Sequence, residues 1–297
     1  MWSCKFSKNS NPFPSVYSEN PHKKKVIHDK LCFVQNKSLL IKNLLYKKRK
    51  KYLHPKKIIN SDSSNISNRK RTRLIGPDPD FPYLDEKTYY SFPDPEKWHD
   101  DIISIGGNLS PGMLLSAYEQ GIFPWYNPGD PVLWQSPNPR CVIFPDSLHI
   151  SSSMQKILKK NVFQITFDKD FLGVMKGCAE MVRPKQDGTW VSNDFIEAYT
   201  RLHNLGWAHS AEAWQDGVLV GGCYGVLMGR CFIGESMFSN RTNASKAAFL
   251  TLAKTLFENN VGFIDCQVPT KHLLSLGGES MERGNFLELL GVYRVKR

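Results

Sequence analysis

The chain has 297 residues, 41% of them hydrophobic and 12% aromatic, enough for one large core or two smaller ones. Residues 1–76 carry 19 Lys+Arg against 3 Asp+Glu, a net +16, and the remainder carries 20 against 25, a net −5, so the overall +11 does not describe a basic folded body. No run of about 18 apolar residues is present, which excludes a membrane-spanning helix, and the seven cysteines form neither a C-x-x-C pair nor a zinc-like Cys/His cluster, which excludes a zinc module and suits a reducing compartment.

Residues 1–76 show no sustained apolar period and read as a disordered, solvated basic extension. Leu39–Tyr46 is at best a short amphipathic piece, and Lys47–Lys51 is a basic run. No apolar stretch follows Met1-Trp2-Ser3-Cys4-Lys5, so a secretory signal is not expected. A Ser/Asn/Lys-rich, acid-poor stretch fits two readings, an organelle transit peptide or a basic arm that attracts RNA phosphate. Pro77 to Pro95, rich in Pro, Asp and aromatics, reads as an extended linker into the fold.

Regular structure is expected from Ile102. Ser110 and Pro111 read as the N-cap and first residue of a helix that carries Met113, Leu114, Ala117 and Tyr118 on one face and stops at Gly121. Three prolines in Ile122–Trp134 predict an irregular, stiff loop that displays aromatic side chains. Arg140–Phe144 reads as a strand and Ser151–Lys160 as a helix with Lys156, Lys159 and Lys160 along one side. A small N-terminal domain is accordingly expected over 77–155 and a second domain over 156–297. In the second, Val162–Phe167 alternates like a strand, and Phe171–Met181 and Asp194–Leu205 are helical. Ala208–Trp214, Val218–Leu227 and Arg230–Met237 form a meander turned at Asp216-Gly217 and Met228-Gly229. Ala244–Asn259 is a long helix, Gly262–Gln267 a buried strand and Phe286–Leu290 a last helix. The class is mixed α/β, of the α+β kind.

Three polar residues stand in apolar strands, where they are costly without partners. Glu235 lies between Phe232-Ile233-Gly234 and Met237-Phe238, while Asp265 and Gln267 flank Cys266 at the end of Val261–Ile264. Residues two apart on a strand share a face, so Asp265 and Gln267 are expected to point together.

These segments resemble the leucyl/phenylalanyl-tRNA–protein transferase family over about residues 92–290. The similarity rests on an ordered set of runs: IGGNLSP at 105–111, LSAYEQGIFPW at 115–125, PGDP at 128–131, SPNPR at 136–140, Gly188-Thr189-Trp190, Ala198-Tyr199, His209-Ser210, Glu212, LVGGCYGV at 219–226, GESMFS at 234–239, NASK at 243–246 and IDCQ at 264–267. The resemblance implies an acetyltransferase-like (GNAT-like) catalytic domain beside a small N-terminal domain. It implies transfer of leucine or phenylalanine, with methionine a further candidate donor, from tRNA to the N-terminal α-amine of proteins beginning with Arg or Lys, which marks them for degradation. It also implies no coenzyme and no metal, a monomer, and a cytoplasmic setting unless the extension directs import.

By the same resemblance the catalytic residues are Glu235, Asp265 and Gln267. Tyr118, Trp125, Trp190 and Tyr199 surround the terminal adenosine and aminoacyl group, and Cys223, Phe232, Met237 and Ile264 line the side-chain pocket, with Leu252 on the following helix. Lys156, Lys159 and Lys160 form the row expected to meet tRNA phosphate. The donor ester is already activated, so aminolysis needs a neutral amine, positioning and support for the oxyanion. An amide has almost no basicity. Gln267 is therefore read as an acceptor that orients the amine, polarised by Asp265, with Glu235 collecting the proton or binding the acceptor's positive charge. Cys223 stands where the family often has Met or Leu, and Leu252 where some members have Phe, so an enlarged pocket is expected. Three rivals remain: a transferase on the same scaffold that moves arginine to acidic N-termini, an acyl-coenzyme A acetyltransferase, and a non-catalytic tRNA-binding protein. The second normally needs a [QR]-x-x-G-x-[GA] loop, which Arg241–Lys246 does not supply.

Overall fold

A computed structural model describes residues 78, 80–181 and 190–295. The extension over 1–76 and the pair Gly188-Thr189 lie outside them. The described part begins with a small antiparallel sheet of three strands in the order β1-β3-β2, where β1 is Ile102–Ile105, β2 is Phe123–Pro124 and β3 is Leu133–Gln135. The proline-rich stretch is therefore partly regular. Its prolines keep the paired segments short, with Pro124 on the edge strand β2, but do not prevent pairing. Helix α1, Pro111–Glu119, starts where Ser110 and Pro111 predict, yet the Ser110 hydroxyl does not cap it. That oxygen accepts from the Leu84 N–H at 3.2 Å and so ties the preceding extended segment to the helix.

The larger sheet has seven strands. In chain order they are β4 (Arg140–Ile143), β5 (Gln164–Phe167), β6 (Ala208–Gln215), β7 (Val218–Met228), β8 (Cys231–Ser239), β9 (Phe263–Gln267) and β10 (Glu279–Met281), arranged 10-4-9-8-7-6-5. All neighbours are antiparallel except β8 and β9. The expected domain boundary near 155 does not match this topology. β4 lies inside the large sheet between β10 and β9, because Val142 and Ile143 are fully buried and pair with Asp265 and Ile264.

The meander turns as its sequence requires: Asp216 (φ 53°) and Gly217 (φ 76°) both adopt the left-handed conformation of a two-residue hairpin turn. Helices α3 (Phe171–Glu180), α4 (Asn193–Asn204) and α5 (Ala244–Glu258) pack on the sheet, and α2 (Ser152–Lys159) packs on α5. The Gly221-Gly222 pair in β7 explains how they come so close. A Cβ on Gly221 would stand 2.6 Å from the Ala244 Cβ of α5, and one on Gly222 would stand 2.9 Å from Val174 Cγ2 of α3. Adjacent strand residues face opposite ways, so the two glycines admit a helix on each face. Two elements not foreseen, α6 (Lys271–Ser275) and β10, join β9 to the last helix, α7 (Arg283–Tyr293). The buried Arg283 guanidinium fixes the start of α7 by donating to the carbonyls of Trp98, Asp100 and Ser136. Among the described residues no helix is long and apolar enough to cross a membrane, and the five described cysteines are free and buried.

Candidate active site

Parallel strands β8 and β9 pair only over Cys231–Ile233 and Phe263–Asp265. Beyond that point a cavity of about 380 Å³ lies against both strand ends. Its walls come from Phe123–Trp125, Trp190, Cys223, Tyr224, Phe232 and Gly234–Met237, with Phe249 of α5, Cys266–Val268, and Thr270, His272 and Leu273 at α6.

Glu235 enters this cavity through a bulge. Tyr224 pairs with Ser236 and Gly225 with Gly234, so Glu235 has no residue opposite it on β7. An unpaired bulge residue bends its strand and re-aims its side chain. The Tyr118 hydroxyl donates to Glu235 Oε1 at 2.7 Å and the Tyr199 hydroxyl to Oε2 at 3.1 Å, and the two phenols also contact each other closely. Three oxygen–oxygen contacts thus share two phenolic protons. Burial of the carboxyl, only partly offset by the phenolic hydrogen bonds, pushes its pKa up to about 7. The same burial raises the pKa of both tyrosines well above the usual value, so both stay protonated donors.

Gln267 also lines the cavity, from a left-handed backbone with φ 63°. Its Nε2 donates to Glu235 Oε1 at 3.0 Å. With Nε2 engaged by Glu235, the amide Oε1 is left as the remaining acceptor.

Asp265 is placed differently from its strand-alternation expectation. Cys141 pairs with Gln267 and Val142 with Asp265, so Cys266 is an extra residue and the two-residue rule fails across it. Gln267 reaches the cavity wall and Asp265 does not. The Asp265 carboxylate is instead gripped by Arg140, with Nε to Oδ1 at 2.8 Å and a terminal nitrogen to Oδ2 at 2.6 Å, both side chains being 1% exposed. Asp265 Oδ1 also accepts from the backbone N–H of Gln267 at 2.9 Å. It therefore does not polarise the Gln267 side-chain amide; Glu235 is the group that touches it. Arg140 had a sequence signal, since an Arg inside an otherwise apolar strand implies a buried acid, but nothing paired it with Asp265.

Of the aromatics expected at the donor, Trp125 (37% exposed) and Trp190 line the cavity, while Tyr118 and Tyr199 are buried behind Glu235. Cys223, Phe232 and Met237 line it as well. Ile264 and Leu252 do not: both are fully buried in the core, Ile264 two residues before the cavity-lining Cys266 and Leu252 one helical turn after Phe249. Phe249, Thr270, His272 and Leu273 were not foreseen, because α6 had no strong pattern and the apolar run Ala247–Leu250 of α5 does not show which of its residues meets the cavity. Lys156, Lys159 and Lys160 lie at the end of α2 and none borders the cavity. Among the described residues no group of three or more His, Cys, Asp or Glu is placed to hold a metal ion.

A family model described as leucyl/phenylalanyl-tRNA protein transferase matches residues 142–291, and one described as the N-terminal domain of the same transferase matches residues 107–138. The chain belongs to the leucyl/phenylalanyl-tRNA–protein transferase family. Its relatives of that name include one from Desulfatibacillum aliphaticivorans, 51% identical over 200 residues that make up 67% of this chain and 86% of the relative. Another, from Flavobacterium johnsoniae, is 49% identical over 208 residues, 68% of this chain and 98% of the relative. A solved GCN5-related N-acetyltransferase from Kribbella flavida is similar at a TM-score of 0.32 and 10% identity, over 58% of this chain and 62% of that one. Family membership makes the chain an aminoacyltransferase, and every described residue of the cavity lies within or between the two matched segments.

Proposed function

We propose that the protein transfers leucine or phenylalanine from the 3′ ester of a charged tRNA to the N-terminal α-amine of proteins that begin with Arg or Lys. The observation that carries this reading is an apolar-walled cavity headed by Glu235 and Gln267. A leucyl or phenylalanyl side chain gains by leaving water there. A guanidinium would lose solvation against the same walls, which disfavours arginine as donor.

In the transfer the amine nitrogen attacks the ester carbon, the carbon–oxygen bond to the ribose breaks, and the proton lost by nitrogen ends on the ribose oxygen. Gln267 Oε1 accepts an amine N–H and aims the lone pair. Glu235, next in the hydrogen-bond chain, titrates close to an α-amine with pKa about 7.7–8.0 and so exchanges protons with it at little cost. Asp265 acts from behind the site. Trp125 and Trp190 offer rings to the terminal adenosine, where stacking contributes roughly 1–3 kcal/mol per base. Lys156, Lys159 and Lys160 meet phosphate further along the tRNA. The enzyme works as a monomer without a coenzyme, in a reducing compartment such as the cytoplasm.

Labelled donors supplied one at a time as charged tRNA test this reading. Leucine and phenylalanine are expected on Arg- and Lys-initiated peptides. Arginine on Asp- or Glu-initiated peptides would replace it with the alternative transferase.

A further inference from the structure

The site's polar residues are held by a group that does not reach the cavity. Arg140, on β4, is 1% exposed and makes contacts in three directions. Two of its nitrogens clamp Asp265, a third donates to the carbonyl of Gly121 at 3.1 Å, and its guanidinium is sandwiched between the Phe123 ring at 4.9 Å and the Phe286 ring at 4.4 Å. Asp265 in turn accepts the N–H of Gln267, which stands in the left-handed conformation at the end of β9. Phe123 is itself part of the cavity wall. A planar guanidinium that bonds two oxygens of one carboxylate fixes orientation as well as distance.

We infer that Arg140 is a positioning residue for aminoacyl transfer, setting the Gln267 backbone through Asp265. The inference rests on the reading of Gln267 as the acceptor that orients the amine. Asp265 then serves the reaction by where it puts Gln267. Lysine at position 140 keeps the charge but offers a point donor in place of the fork, so Asp265 and the Gln267 N–H lose their common frame.

A merely structural Arg140 would lower activity regardless of what stands at 267. A double-mutant cycle in the full chain, with kcat and KM measured for a charged-tRNA donor and an Arg-initiated peptide and with Tm followed throughout, separates the two. Arg140→Lys should lower kcat at least tenfold with donor KM within about twofold. In a Gln267→Ala background the same change should lower kcat less than twofold further, while its effect on Tm is the same in both backgrounds. Equal fold losses in the two backgrounds, or a loss confined to donor KM, would overturn the inference. Wild-type turnover by Gln267→Ala alone would instead remove the reading of Gln267, and the inference with it. Should Arg140→Lys not fold, Phe286→Leu loosens the guanidinium without altering any charge and should give the same non-additive pattern.

Discussion

A carboxyl that titrates near neutrality changes charge within the working range of an enzyme, and Glu235 does so because burial outweighs two phenolic hydrogen bonds. Its folded pKa lies above the value of an exposed Glu. The stabilisation it gives the fold is fully present below about pH 4.5 and is lost as pH rises through about 7. The loss is about 3 kcal/mol, from a shift of 4.5 to about 7 at 1.36 kcal/mol per unit. Glu235→Gln, which cannot ionise, should therefore show a flatter dependence of unfolding free energy on pH between 5 and 8, and should be the more stable protein at pH 8. Parallel denaturant titrations check this, and parallel curves for the two proteins would show that Glu235 keeps an ordinary pKa. Cys223 lines the same cavity, where a larger side chain would leave less room for the transferred residue. Cys223→Met should lower kcat/KM for the phenylalanyl donor relative to the leucyl donor by roughly tenfold, since a methylene in such a pocket discriminates by about 1–3 kcal/mol. Competition between the two charged tRNAs reads the ratio.

The longer strands and helices of the described region lie within a few residues of where apolar period, caps and turn residues put them. The site depends on departures from those periods. The bulges at Glu235 and Cys266 decide that Glu235 and Gln267 meet and that Asp265 turns away. A bulge leaves no mark in strands as mixed as CFIGESMFS or as short as FIDCQ, so pairing partners across the sheet were needed to see it. The family's motifs point to Glu235, Gln267, Trp125 and Trp190, all of which line the cavity, but not to which acid touches the Gln267 amide. Short elements such as β2, β10 and α6 fell below any periodic signal. The turn after α1 shows how closely elements are fitted around Arg140. Gly121 has φ 72°, and a Cβ there would stand 2.4 Å from Leu287 Cδ2 of α7. Gly121→Ala should destabilise the fold by about 2 kcal/mol or more, from left-handed strain together with overpacking. It should also reduce turnover, because it displaces both the Gly121 carbonyl and the helix that carries Phe286. Thermal unfolding and kcat on the same preparation check the pair. On α2, reversing Lys156, Lys159 and Lys160 to Glu should weaken tRNA binding and flatten the slope of log affinity against log salt by roughly 0.7–0.9 for each phosphate that is no longer neutralised. An unchanged slope would mean that the row faces only solvent.

At the scale of the molecule, charge and chemistry are separated along the chain. The +16 of residues 1–76 precedes a body of net −5 that contains the cavity and its hydrogen-bond chain. The two family matches, over 107–138 and 142–291, take in the loop that supplies Phe123–Trp125 and the sheet that supplies Glu235 and Gln267. The proposed transfer requires that an apolar cavity select the transferred residue while Gln267 aims the receiving amine. The most direct measurement offers total charged tRNA, with each amino acid labelled in turn, to an equimolar mixture of peptides beginning with Arg, Lys, Asp and Glu, using the wild-type chain and Gln267→Ala side by side. Leucine and phenylalanine should appear on the Arg and Lys peptides and fall sharply with Gln267→Ala. Transfer of arginine to the acidic peptides, or tRNA binding without any transfer, would contradict the account.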